Sequence, residues 1–230
     1  MEVRERPVSF SPEMMLAMVK GLKTVTRRIV CPQPIPDVAE LKEHSSVPGY
    51  WIPYSAEGKL VNNNIGNRKD DCGYYCRYGK TGERLWTQEP YVTRDLPDGG
   101  KQILLRREFD ELVELLNLDF VAEAARRGGE VLKLKWLPGF FMPRKLSRGL
   151  LEITNVRAGR VQDITENEAL AEGLESYGVG VDEFQPGSSY IVTARELFQV
   201  LWDRLNAKRG FGWEVNPWVF PVEFKVLEIR

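Results

Sequence analysis

The segment Gly21-Leu22-Lys23-Thr24-Val25-Thr26-Arg27-Arg28 sets an amine, hydroxyls and two guanidinium groups within one short stretch. Together they could carry acyl-transfer chemistry. A threonine hydroxyl such as that of Thr26 is a usable nucleophile once a base takes its proton and a donor holds the developing oxyanion. Lys23 can serve as that base only when burial or a nearby cation lowers its pKa from about 10.4 toward neutrality; Arg27 or Arg28 could be that cation. The spacing sets a geometric condition. Side chains alternate along a strand, so Thr26 and Arg28 share a face and Lys23 points to the other. Lys23 joins them only from a turn ahead of the strand or across a bulge, and Gly21 suits such a turn.

Other groups invite different chemistry. Cys31, His44, Cys72 and Cys76 are a ligand set that zinc accepts, but their spacings are irregular and free cysteines commonly pack as small hydrophobes. The expectation is no metal and no cofactor. His44 is the sole histidine, and no nucleophile-elbow motif accompanies it. A P-loop and a G-x-G-x-x-G fingerprint are both missing, so nucleotide hydrolysis and dinucleotide binding lack support. Arg144, Lys145 and Arg148, with Arg27, Arg28, Lys208 and Arg209, are candidates for a phosphate-tracking groove. Trp86, Tyr91 and Trp213 could offer stacking faces for bases. Trp213 sits among Gly210, Gly212 and Asn216, a setting that favours an exposed or lid-like position.

These residues need elements to hold them. Ser11-Pro12 reads as an N-cap and first helical residue, followed by Met15, Leu16, Val19 and Leu22 at helical spacing, with Gly21 to end the helix. Lys23 to Val30 reads as a strand. From Cys31 to Lys80 prolines and the Asn62-Asn63-Asn64 run break the pattern, which predicts an irregular insertion over 31–80. Gly82 to Thr87 reads as a turn and strand. An apolar stripe from Phe109 to Val121 predicts a helical insertion over 104–129, stopped by Gly128-Gly129. Strands are expected over Val131–Trp136 and Leu150–Val156. Thr165-Glu166-Asn167-Glu168 and Thr193-Ala194-Arg195-Glu196 both fit capping boxes, with Gly173 and Gly210 as stops. The chain ends in a strand in which Trp218, Phe220, Val222, Phe224 and Val226 share a face; Pro221 points to an edge position or a bulge. Strands and helices without regular βαβ alternation indicate one α+β domain over 1–230.

Bulk properties narrow the classes. The 230 residues carry 32 Lys+Arg against 33 Asp+Glu, a net charge of −1, so any nucleic acid must bind through a local patch. No apolar run reaches the roughly 20 residues of a membrane span, and MEVRERPVSF lacks the apolar core of a secretory signal. With three cysteines, an odd count, a reducing cytoplasmic setting is expected.

The helix followed by Gly21, Lys23, Thr26 and Arg28 resembles the G-x-K-x-x-[E/T]-x-R signature of ASCH domains, relatives of the PUA fold. Gly82-Glu83-Arg84-Leu85 resembles that family's Gly-Asp turn, with Glu in place of Asp. Further segments resemble a larger phage- and prophage-borne branch: Arg84-Leu85-Trp86 with Glu89, Trp136-Leu137-Pro138 with Met142-Pro143-Arg144, Lys208 to Trp213, and Asn216-Pro217-Trp218. The resemblance implies a PUA-like mixed β-barrel with flanking helices whose pocket reads a nucleobase or nucleoside. It implies substrate contacts from Gly21, Arg27, Arg28, Trp86, Glu89, Arg144 and Trp213. One ASCH enzyme family removes the acetyl group of N4-acetylcytidine with a Lys, a Thr and a Glu. These carry over to Lys23, to Thr26 and, by stepping along the helix that opens Ile164-Thr165-Glu166, to Glu172. Three readings stay open here: an amidohydrolase on a modified pyrimidine, a non-catalytic module binding RNA ahead of DNA, and an ASCH-type ribonuclease.

Overall fold

The computed structural model describes residues 3–62, 73–95, 101–105, 135–174 and 192–229. It is a mixed α+β structure, rich in strands and with few helices.

The first helix, α1 (Pro12–Val19), begins and ends as its sequence dictates. The Ser11 hydroxyl accepts from the Met14 N–H at 3.3 Å, and Pro12 fills the first turn, where a missing N–H costs nothing. At the other end Gly21 turns left-handed at φ 72°, and the Leu22 N–H returns to the Ala17 carbonyl at 2.9 Å. The chain then enters β2 (Val25–Ile29).

The main sheet is organised by the last strand, β12 (Trp218–Ile229). Along one edge it pairs with β10 (Gly149–Val156) and then β11 (Gly159–Arg160), and along the other with β2. β10 continues to β6 (Arg84–Gln88), which runs parallel to β1 (Glu5–Ser9). Pro221 therefore lies in a central strand rather than at an edge. It is tolerated because its nitrogen faces the break between β10 and β11, where its carbonyl accepts from the Arg157 N–H at 3.1 Å. The sheet is open among the described residues, since β1 and β2 share no ladder. A side chain spans that gap: Arg28 Nη2 donates to the Ser9 carbonyl at 2.8 Å.

Two short sheets flank the main one. The first, β3 (Glu40–Glu43), β4 (Tyr50–Tyr54) and β5 (Tyr74–Tyr75), corrects the expectation of an irregular 31–80 segment. Prolines punctuate this segment, yet Leu41, Trp51 and Tyr74 plug into the main core and hold the strands against it. The second comprises β7 (Tyr91–Asp95), β8 (Lys101–Leu105) and β9 (Lys135–Leu137). Leu104 and Leu105, expected to open a helix, belong to β8; the rest of that proposed helix lies outside the described residues.

Both expected capping boxes form, at Thr165/Glu168 before α2 (Glu166–Ala171) and at Thr193/Glu196 before α3 (Ala194–Asn206). The principal core joins Val8, Phe10, Leu85, Leu151, Ile153, Val222 and Phe224 inside the main sheet. A second core lies between that sheet and the helices, from Val161, Ala169, Phe198, Trp202, Trp213 and Val219. No helix among the described residues is long and apolar enough to cross a membrane.

Candidate functional site

A cleft of about 300 Å³ opens between β2 and α3. Thr26, Arg27, Arg28 and Glu172 border it on one side, and Phe198, Leu201, Trp202 and Leu205 of α3 on the other. Arg77-Tyr78 and Arg209 with Phe211 complete its rim. Phe211 is tied to α3 by its carbonyl, which accepts from Trp202 Nε1 at 2.8 Å.

Behind the cleft lies a buried ion network. Lys23 precedes β2, in a lone antiparallel bridge with Glu172. This meets the geometric condition read from the sequence, because the strand phase starts only at Val25. The Lys23 ammonium is fully buried and donates to Glu172 Oε2 at 2.8 Å, to the Glu172 carbonyl at 2.9 Å and to the Val25 carbonyl at 2.8 Å. It thereby caps the C-terminal end of α2, where free carbonyls attract cations. Desolvation pushes its pKa below the ordinary lysine value, against the opposing pull of Glu172; the charges of Arg28 and Arg27 add to the lowering.

Glu172 holds the other side of the network. Its Oε1 accepts from the backbone N–H of Arg27 at 2.8 Å and from Arg27 Nη1 at 3.3 Å. That backbone N–H points away from β12, so the carboxylate satisfies a donor on the outer edge of β2. Arg27 continues to Glu168 Oε2 at 2.8 Å, and Glu168 to Arg157 at 2.5 Å. Burial raises the Glu168 pKa, but the Thr165 N–H, the Arg157 hydrogen bond and the charges of Arg27 and Arg157 outweigh it and leave the carboxyl below its usual range.

The three residues of the implied catalytic set are thus gathered, with unequal access. Glu172 and Thr26 border the cleft, whereas Lys23 lies behind them. Thr26 is buried, 4% exposed, on the β2 side of the cleft. Arg28 borders the cleft with its guanidinium 5.3 Å from the ring centres of both Phe10 and Tyr78. Gly21 is exposed and serves as the turn that ends α1.

The remaining expected contacts lie elsewhere. Glu89 is buried and held by Arg148 through two bonds of 2.9 and 2.7 Å. Arg144 is exposed, pairs with Glu5 at 3.0 Å and sits 5.9 Å over Trp86. Trp213, expected as an exposed or lid residue, is buried in the second core against Phe198, with Arg195 on its face. The local glycines allow the turn, but the Asp203 carboxylate draws the Trp213 N–H in at 2.6 Å. None of these four borders the cleft. Cys31 is exposed on the cleft rim and Cys76 is buried, while Cys72 lies outside the described residues. His44 Nδ1 accepts from the Ser46 N–H at 3.1 Å. No cluster of three or more His, Cys, Asp or Glu suited to a metal occurs among the described residues.

Sequence reasoning missed Arg77, Tyr78 and the apolar wall of α3. Arg77-Tyr78 follows the strand pair that the prolines concealed. The α3 wall carried the ordinary signature of an amphipathic helix. Comparison with protein-family models, with curated proteins and with solved structures finds no match to this chain.

Proposed function

We propose that the chain is an ASCH-type protein with a PUA-like architecture, and that its β2–α3 cleft binds a modified pyrimidine nucleoside and hydrolyses its N4-acyl group, with N4-acetylcytidine as the type substrate. One observation carries this reading: Lys23 and Glu172 form a 2.8 Å pair, and Glu172 borders the same cleft as Thr26. A cleft of about 300 Å³ suits one small ligand.

The chemistry follows from the pair's burial. Burial favours the uncharged form of Lys23, and the proposed reaction begins with its proton handed to Glu172 Oε2 across their 2.8 Å hydrogen bond. The resulting amine takes the Thr26 proton as Oγ1 adds to the acyl carbon, which requires the hydroxyl to turn toward Nζ. Collapse of the tetrahedral adduct breaks the C–N4 bond, and Glu172 returns its proton to the departing amine. Water then adds to the acyl-Thr26 ester, giving up a proton to Glu172; the C–Oγ1 bond breaks as the Lys23 ammonium returns its proton to Thr26 Oγ1, and the carboxylic acid leaves.

Incubation with N4-acetylcytidine tests this directly. Cytidine and acetate are expected to accumulate, and Thr26→Ala to slow release by about a thousandfold or more. No cytidine from the wild-type chain, or undiminished release by Lys23→Met, would overturn the hydrolase. A second reading, recognition without turnover, is favoured by the saturation of Lys23: all three ammonium donors are engaged, and the group does not border the cleft. Cytidine-type binding with no turnover is its signature.

A further inference from the structure

The cleft carries more positive charge than its ion network uses. Among the described residues bordering it the sole carboxylate is Glu172, and both its oxygens are engaged by Lys23 and Arg27. Three further guanidinium groups border the same space, from Arg28, Arg77 and Arg209. Among the described residues none of the three pairs with a carboxylate. Arg28 donates to the Ser9 carbonyl, Arg77 lies 5.6 Å over Tyr78, and Arg209 donates to Asn206 Oδ1 at 3.2 Å while lying 6.0 Å over Phe211. Arg28 Nε is buried and makes no hydrogen bond among the described residues. An unpaired buried donor is costly, and an anionic oxygen entering the cleft would supply its acceptor. Guanidinium groups resting on rings are restrained, and the planar fork suits phosphate.

We propose that the ligand of this cleft is phosphorylated: a pyrimidine nucleoside 5′-monophosphate whose phosphate is gripped by Arg28, Arg77 and Arg209 while the base faces Thr26 and Glu172. The proposal rests on the cytosine-nucleoside reading for the base and adds the phosphate. A single nucleotide is favoured over a strand by two observations. The cleft volume is about 300 Å³, and the net charge of −1 gives no long basic track.

Calorimetric titration of the full chain with cytidine, cytidine 5′-monophosphate, adenosine 5′-monophosphate and an unphosphorylated cytidine trinucleotide tests it. The expected result is affinity for cytidine 5′-monophosphate at least about tenfold above that for cytidine, with the gap narrowing as salt rises. Arg77→Ala and Arg209→Ala, both at exposed rim positions, are expected to narrow the gap severalfold; they keep the test open should Arg28→Gln fail to fold. Equal affinity for cytidine and its monophosphate would overturn the phosphate site while leaving the nucleoside reading intact. Equal affinity for both monophosphates, with cytidine unbound, would support the phosphate site and overturn the cytosine reading. A trinucleotide bound more tightly than cytidine 5′-monophosphate would overturn the mononucleotide in favour of a strand, and no binding by any probe would overturn both readings.

Discussion

Lys23 and Glu172 lie 149 positions apart and meet in a 2.8 Å ion pair buried at both ends. The pair joins the turn after α1 to the end of α2, and Glu172 extends the connection to the outer edge of β2 through the Arg27 N–H. The same contacts thus fix the strand bearing Thr26 and one border of the cleft.

Removing one member of such a pair leaves a buried charge without its partner. Lys23→Met is therefore expected to lower stability by about 3–5 kcal/mol, and the double substitution Lys23→Met/Glu172→Leu to recover part of the loss. Urea unfolding of the single and double variants measures both. Equal loss in the two would show that the partners are not coupled.

The same network sets the pH response. The folded pKa of Lys23 lies below its ordinary value of 10.5, so between the two values the unfolded chain binds more protons. Stability relative to Lys23→Met should rise with pH across that window. Glu168 behaves oppositely. Its folded pKa lies below 4.5, so its contribution is present above that value and is lost as pH falls through the folded pKa. Glu168→Gln should flatten the acid limb of the unfolding midpoint against pH, and an unchanged acid limb would count against the Glu168 contacts.

On the proposed hydrolysis, substitution at Thr26 separates turnover from binding. Thr26→Val keeps the shape of the side chain and removes the hydroxyl, so turnover of N4-acetylcytidine should fall by about a thousandfold with substrate affinity held within a few fold. Thr26→Ser should retain measurable turnover. Mass spectrometry of quenched wild-type reactions should detect an acyl group on the peptide bearing Thr26.

Two left-handed glycines should differ in their tolerance of alanine. A Cβ on Gly21, at φ 72°, meets nothing within 4 Å, so Gly21→Ala should cost about 1 kcal/mol of backbone strain. At Gly173, at φ 87°, a Cβ would stand 2.7 Å from the Ala17 Cβ and 3.1 Å from that of Lys23. Gly173→Ala should therefore cost about 3 kcal/mol, with reduced turnover as Glu172 shifts. Comparable thermal midpoints for the two variants would contradict this packing.

Glu89 provides the control outside the cleft. Arg148→Met strands a carboxylate that is 1% exposed and should destabilise the chain by about 3 kcal/mol. Ligand affinity measured below the unfolding transition should stay within about twofold, since neither residue borders the cleft. A large affinity loss would return Glu89 to the binding site.

Short-range hydrogen bonding made several features readable from the sequence. Ser11, Pro12 and Gly21 mark the ends of α1, and Thr165/Glu168 and Thr193/Glu196 mark two helix starts, because each signal and its partner lie within a turn or two. Lys23 and Thr26 stood out by residue type, and the alternation rule required a turn or a bulge for Lys23 to join Thr26; the structure places Lys23 ahead of β2. Glu172 was reached only through a resemblance, since its partner lies 149 positions away. Packing decided what local rules left open. Trp213 is buried although glycines flank it, because Phe198 and Asp203 draw it into the second core. Leu41, Trp51 and Tyr74 hold a small sheet together despite nearby prolines, because their burial against the main core outweighs local disfavour. The cleft itself was decided by tertiary structure, for it exists only where β2, α3, Arg77-Tyr78 and Arg209-Phe211 converge from distant parts of the chain.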